Sequence, residues 1–300
     1  MHKIRILDSG DSDCIVITAD TPDGPKTIVI DGGDKDYGGK MVLRDHLREN
    51  NVSQIDLMIV THLHQDHHGG FANIVGEVAI REAILPYGDI ALSRNISVLY
   101  SGSIHIPYYH ILYQHLVKMG ADIQLVTDCC GETYRFGDVS LKCLFPRKPS
   151  DLRIPESIPS LCDESLDEAQ AAEVFGRFKE ISINGDSSIW LLACRGRNIA
   201  FLPGDSTAAV QKSALIAARN AGEAWEAPVI YKMTHHGLKF KRLSYYDKEF
   251  IDELNPRYVV VTNDLVREKY ATIEEDCLEA CSGIRVTPYY TYNGTFEYEF

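Results

Sequence analysis

The 300-residue sequence predicts a mixed α/β fold made of two similar β-then-α halves, with two sheets facing each other and helices outside. Three observations carry that expectation. Apolar, β-branched runs alternate with turn signals and helical stretches along the whole chain. One pattern occurs twice: strand, polar turn, strand, a Gly and Asp close together, then a helical stretch. A content of 45% hydrophobic residues is enough to bury a large core, which favours one domain over residues 1–300.

The first copy is CIVITADTPDGPKTIVIDGG (14–33), where an Asp-Gly-Pro turn joins two strands and Asp31 precedes a glycine pair. A helix is expected from Lys40 to Asn50. Residues Ile55 to Val60 read as a buried strand ending at Thr61, after which THLHQDHHGG (61–70) must turn the chain, because Phe71 to Val75 opens a new apolar period. Tyr87 to Tyr109 reads as a long irregular connection of the kind that often borders a binding site. Pro146 to Glu180 is rich in Pro, Ser and acid, with helical character only from Asp163 to Lys179, and reads as an acidic surface insertion. The second copy is SIWLLACRGRNIAFLPGDS (188–206), ending in Gly204 and Asp205, with Thr207 to Ala221 as its helix. Finally, VIYKMTHH reads as a strand on which His235 and His236 alternate faces.

Composition narrows the function classes. With 30 Lys plus Arg against 43 Asp plus Glu, the formal charge is −13, so the surface as a whole repels phosphate polymers and any nucleic-acid contact must be local. No apolar run approaches the roughly 20 residues of a membrane span, and MHKIRILDSGDSD lacks the apolar core of a secretory signal, so a cytoplasmic location without membrane contact is expected. The eight cysteines show no CxxC pair and lie in apolar contexts, which reads as buried, reduced thiols.

The chemistry concentrates in residues 61–70. His62 and His64, two apart on an extended segment, can point the same way, while Asp66 and His67 sit together on the turn and can reach a second point a few ångströms off. Neutral imidazoles suit zinc, manganese or iron, and a carboxylate beside them adds charge and a proton acceptor. Asp205 ends an apolar strand, where a carboxylate is an improbable core residue without a cation; capping the following helix is its competing role. His68 is expected to cap or solvate the turn, and His105, His110 and His115 to serve surface or packing roles.

HLHQDH, at 62–67, resembles the signature of the metallo-β-lactamase fold, a four-layer αββα sandwich with a metal site at the edge between its sheets. ILDSGDSDCIVI, IVIDGG, FLPGDS and THHG fall in matching order over nearly the whole chain. Within that superfamily, DSGDSDCIVI, NGDSSIWLL, FLPGDS and KMTHHG together are most similar to the hydrolase domain of the ComEC-type competence proteins and to related phosphorylcholine esterases. The resemblance implies that His62 and His64 hold a first divalent metal, Asp66 and His67 a second, and that Asp205 bridges both. The second metal also needs a ligand from THHG: with the two histidines on alternate faces, one can bind metal while the other meets substrate. The reading takes His236 as the ligand and His235 as the catalytic neighbour of the phosphate, the reverse assignment staying open, with Asp66 also able to orient the attacking water.

One departure concerns the first site. Many superfamily members supply a third histidine between these motifs, yet SINGDSSIWLL has none. Asn184, Asp186, Ser187 or Ser188 is left to fill the position, directly or through water, with Asn184 and Ser188 also candidates for holding substrate. Such a site is weaker and richer in oxygen, which widens the metal choice from zinc toward manganese. LKFKRLSYY then offers Lys239, Lys241 and Arg242 to an anionic substrate, with plain solvated surface charge as the competing and favoured description of this basic run. The reading is a phosphodiesterase or nuclease, with single-stranded DNA and a nucleotide both compatible as substrate. Hydrolysis of a carboxyl ester, lactone or lactam on the same metals is the second class, and a non-catalytic, metal-stabilised interaction domain binding a protein partner the third.

Overall fold

The computed structural model describes residues 1–100, 105–220, 225–238, 245–265 and 272–300. Its strands are β1 (Lys3–Ile6), β2 (Cys14–Thr21), β3 (Gly24–Gly32), β4 (Leu57–Ile59), β5 (Glu82–Leu85), β6 (Asp122–Leu125), β7 (Thr133–Phe136), β8 (Val139–Phe145), β9 (Ile189–Cys194), β10 (Arg197–Leu202), β11 (Ile230–Lys232), β12 (Tyr258–Val261), β13 (Tyr289–Tyr290) and β14 (Phe296–Glu299). A short pair, Gln54–Ile55 with Ala79–Ile80, stands apart. The others form two seven-stranded sheets, β14-β1-β2-β3-β4-β5-β6 and β13-β12-β11-β10-β9-β8-β7, flanked by helices as expected.

The two sheets repeat one another. Read from β14, the first sheet has three antiparallel pairings followed by three parallel ones. Read from β7, the second has the same sequence of pairings. The duplicated hairpins thus become β2–β3 and β9–β10, and the next strand beside each, β4 or β11, runs into a histidine loop. Asp31 at the end of β3 and Asp205 just past β10 fall at corresponding places. The sheets share one core, in which Ile4, Ile17, Ile28, Trp190, Phe201 and Tyr231 are almost wholly buried. All eight cysteines are free thiols.

The helices after the hairpins run Val42–Glu49 and Ala208–Asn220, within the expected spans. Three segments differ. The Tyr87 to Tyr109 stretch is not a plain loop: Arg94–Leu99 is helical, and His105 opens the helix His105–Met119, whose residues Ile106, Tyr109, Leu112 and Leu116 recur at helical spacing and are buried. The insertion holds a short helix, Ile158–Leu161, ahead of the expected span, and its longer helix starts only at Glu168, because Asp167 forms a capping box with Gln170 that fixes the first turn there. The insertion also packs back through Leu152, Ile154, Leu161 and Phe178. Lastly, β11 stops at Lys232, so His235 and His236 lie beyond the strand on a single turn, Thr234–Gly237. Strand alternation does not apply to them.

Candidate metal centre

Both histidine loops are set by tight backbone geometry. After β4 the chain bends at His62 and Leu63, reaches His64 in extended conformation, then coils through Gln65–His68 and Gly69–Asn73. Gly70 donates its N–H to Gly33 O at 2.9 Å, and a Cβ there would collide with Gly32 O, so no larger residue fits this crossing. In the second half, Gly204 has φ +53°, and a Cβ would strike Ser187 Oγ, the hydroxyl that accepts the N–H of Asp205 at 2.9 Å. His235 (φ 49°) and His236 (φ 54°) both adopt left-handed backbone, a conformation costly for side-chain-bearing residues and concentrated at functional sites.

These turns bring seven predicted residues together. The donor atoms of Asp66, His67, Asp205 and His236 lie within 4.8 Å of one another, and so do those of His62, His64 and Asp205. Asp205 is common to both sets. His62 Nε2 is 3.0 Å from His64 Nδ1; His67 Nε2 is 3.4 Å from Asp205 Oδ1, and His236 Nε2 is 3.2 Å from Asp66 Oδ2. His235 Nε2 approaches Asp205 Oδ2 at 3.8 Å while its ring stacks on Tyr245 at 4.0 Å between centroids. Asp66 is 31% exposed and His64 is also only part-buried, whereas His62, His67, Asp205 and His236 are buried.

Whether these residues suit a divalent cation is tested by their hydrogen bonds. His67 Nε2 and Asp205 Oδ1 are buried without a hydrogen-bond partner among the described residues, an unfavourable arrangement unless a cation satisfies them. The outer ring nitrogens are engaged. His67 Nδ1 is 2.7 Å from Asp31 Oδ2, and Asp31 accepts the N–H and hydroxyl of Thr61, each at 2.8 Å. His236 Nδ1 faces Thr262 Oγ1 at 3.1 Å and Asp13 Oδ1 at 3.3 Å. His62 Nδ1 faces Thr61 Oγ1 at 3.1 Å. With the outer nitrogens holding their protons against these oxygens, the inner ones are those that can give a metal their lone pairs. Nitrogen and carboxylate donors with such supports fit zinc or manganese.

Protonation follows the same geometry. Burial drives His62 well below its ordinary value and takes His64 down to about 4. For His236 burial opposes the charge, but Asp205 and Asp13 outweigh it and raise the ring to about 9. His67 is likewise raised, by Asp205 and Asp31 against burial. Asp205, despite burial, is held well below the carboxylate range by His67, His236 and His235. A site whose charges are balanced by protons on histidine is one where a cation can replace them.

Other expectations fare differently. Ser188 is not brought to the centre: its Oγ accepts the Trp190 indole N–H at 3.0 Å and lies 3.4 Å from Thr61 O. Nor is Asp186, whose carboxylate accepts the N–H groups of Arg153 and Ile154 and the Tyr87 hydroxyl, tying down the insertion. Asn184 stands beside the centre, donating to the Tyr245 hydroxyl at 3.1 Å. Ser187 Oγ is 3.4 Å from His62 Nδ1, on the outer side of that ring. His68 does not cap or solvate the turn; it is buried, with Nε2 3.2 Å from Leu63 O and its ring edge against Tyr109. His105 accepts the N–H of Gln65 at 3.0 Å and lies 4.9 Å from the His64 ring, at the site's edge. Lys239, Lys241 and Arg242 lie outside the described residues. Asp13, Asp31 and Lys232 were missed as site residues, although each sits in a quoted motif.

The model of the metallo-β-lactamase superfamily matches residues 7–156. No curated protein matches the chain. Among solved structures, a metallo hydrolase from the archaeon Ignicoccus hospitalis aligns with TM-score 0.51 and 16% identity over 99% of both chains. A diphosphatase of the PhnP family aligns at 0.48 and 11%, covering 100% of this chain and 98% of its own. Zinc-bound PqqB from Methylobacterium extorquens aligns at 0.48 and 12% over 100% of both. With half of its length matched by the family model and the histidine–aspartate cluster in place, the chain belongs to the metallo-β-lactamase superfamily and is a metallo-hydrolase.

Proposed function

We propose that the chain is a phosphodiesterase that binds two divalent cations, zinc or manganese, with a nucleotide or a nucleic-acid strand as the substrate class. His62, His64 and Asp205 would hold the first cation, and Asp66, His67, Asp205 and His236 the second. The observation that carries the reading is the pair of adjoining donor sets sharing the buried Asp205 carboxylate. Two cations supply Lewis acidity to a phosphoryl oxygen and acidify water for in-line attack. The chain's own residues do the rest. Asp66, partly open to solvent, accepts a proton from the attacking water. His235, stacked on Tyr245 and facing Asp205, is placed to hydrogen-bond a phosphoryl oxygen. Asn184 holds Tyr245 in place, and LKFKRLS supplies Lys239, Lys241 and Arg242 for the substrate's charge.

The likeness of DSGDSDCIVI, NGDSSIWLL, FLPGDS and KMTHHG to the ComEC-type hydrolases supports phosphate over carboxyl chemistry. A cytoplasmic location remains part of the reading; no described helix is long and apolar enough to cross a membrane. The deciding experiment is hydrolysis of bis-p-nitrophenyl phosphate, a lactone and a β-lactam by zinc- and manganese-loaded protein. Turnover of the phosphodiester alone supports the proposal; lactone or lactam opening without phosphodiester cleavage replaces it by the carboxyl class.

A further inference from the structure

A lysine stands behind the second donor set. Lys232 ends β11 wholly buried, and its ammonium donates to Asp13 Oδ2 while lying 4.0 Å from Asp205 Oδ1. Asp13, equally buried, sits just ahead of β2 in the other sheet. Its second oxygen accepts the Thr262 hydroxyl at 2.6 Å and is 3.3 Å from His236 Nδ1; Oδ2 is also 3.8 Å from His67 Nδ1. One carboxylate therefore backs both histidines of the four-donor set. Thr262 spends its single proton on Asp13, so at 3.1 Å its lone pair can only receive the Nδ1 proton of His236. Nδ1 is therefore the nitrogen that keeps its proton, and the proton a metal displaces is the one on Nε2, which faces Asp66 and Asp205. Apolar packing alone would be met by a methionine of similar length at position 232, and burying either charge without the other is strongly unfavourable.

We propose that Lys232 is a positioning residue of the metal centre: it fixes the Asp13 carboxylate and, through Asp13 and Thr262, orients the His236 ring so that Nε2 joins the metal donors. The proposal rests on the metal-hydrolase reading and assigns Lys232 no contact with substrate.

The test compares wild type with Lys232→Met, Thr262→Val and the double variant Lys232→Met/Asp13→Asn. Zinc and cobalt affinities are measured by chelator competition, the cobalt absorption spectrum reports the ligand field, and circular dichroism and melting report the fold. Lys232→Met is expected to bind metal about 10- to 100-fold more weakly and to shift the cobalt spectrum. Thr262→Val, which leaves no buried charge unpaired, should move both readouts in the same direction. The double variant should lose no more affinity than Lys232→Met alone, since the residues act along one chain. If Lys232→Met does not fold, Thr262→Val and the double variant decide, each measured against wild type for weaker metal binding and a shifted cobalt spectrum. Wild-type affinity and an unchanged cobalt spectrum in the folded variants overturn the proposal. Failure of wild type itself to take up any metal overturns the hydrolase reading, and the proposal with it.

Discussion

Asp205 is the residue on which the centre turns. It alone belongs to both donor sets, and its backbone is fixed by Gly204 and Ser187. Asp205→Ala is expected to retain the fold and to lower phosphodiester hydrolysis by about 10³-fold or more; turnover near wild type would remove Asp205 from the mechanism. Protonation at His236 gives a second residue-scale prediction. Its ring is raised to about 9 in the metal-free protein, above the unfolded value of about 6.5. The stability this contributes is therefore fully present below about pH 6.5 and is lost as pH rises through 9. Metal-free protein should melt at lower temperature at pH 9 than at pH 6.5, whereas metal uptake at pH 7 should release protons, measurable by calorimetry in buffers of different ionisation enthalpy. Uptake without proton release would show that the histidines are already neutral.

Elements reveal what a single sequence can and cannot show. The hairpins β2–β3 and β9–β10 were legible because strand alternation and polar turns are local signals, and HLHQDH was legible because its ligands are contiguous. The His235–His236 turn was not, since left-handed backbone at two non-glycine residues is imposed by packing rather than by propensity. Asp13, Asp31 and Lys232 escaped for another reason: their partners are distant, Lys232 and Asp13 being 219 residues apart. The insertion's helix start was misplaced by five residues because Asp163 and Asp167 are both plausible caps, and only Asp167 has a Gln three residues on that reaches back to it. Asp167→Ala should cost about 1 kcal/mol of stability and leave metal affinity unchanged. A loss of metal binding in that variant would mean that the insertion supports the centre through Arg153 and Asp186.

At the scale of the whole molecule, the metal centre joins two halves built on one plan. The first half contributes His62, His64, Asp66 and His67 from the loop after β4; the second contributes Asp205 after β10 and His236 after β11. Cations bound there would cross-link the halves, so binding and global stability must rise together. The two donor sets are unequal, however. One offers four side chains including two carboxylates, the other three with a single carboxylate, and the serines and Asp186 of SINGDSS face other partners. Metal should therefore enter in two steps, the four-donor set first and the three-donor set at higher concentration. Calorimetric titration of metal-free protein should resolve two equivalents, and the melting temperature should climb in two stages over the same concentrations. Each stage follows mass action, about 2.7 kcal/mol when free metal exceeds the relevant dissociation constant 100-fold. His236→Ala should abolish the tighter step and His64→Ala the weaker one. Loss of the tighter step on changing His64 would reverse the assignment, and a single step of one equivalent would mean that the three-donor set does not hold metal on its own.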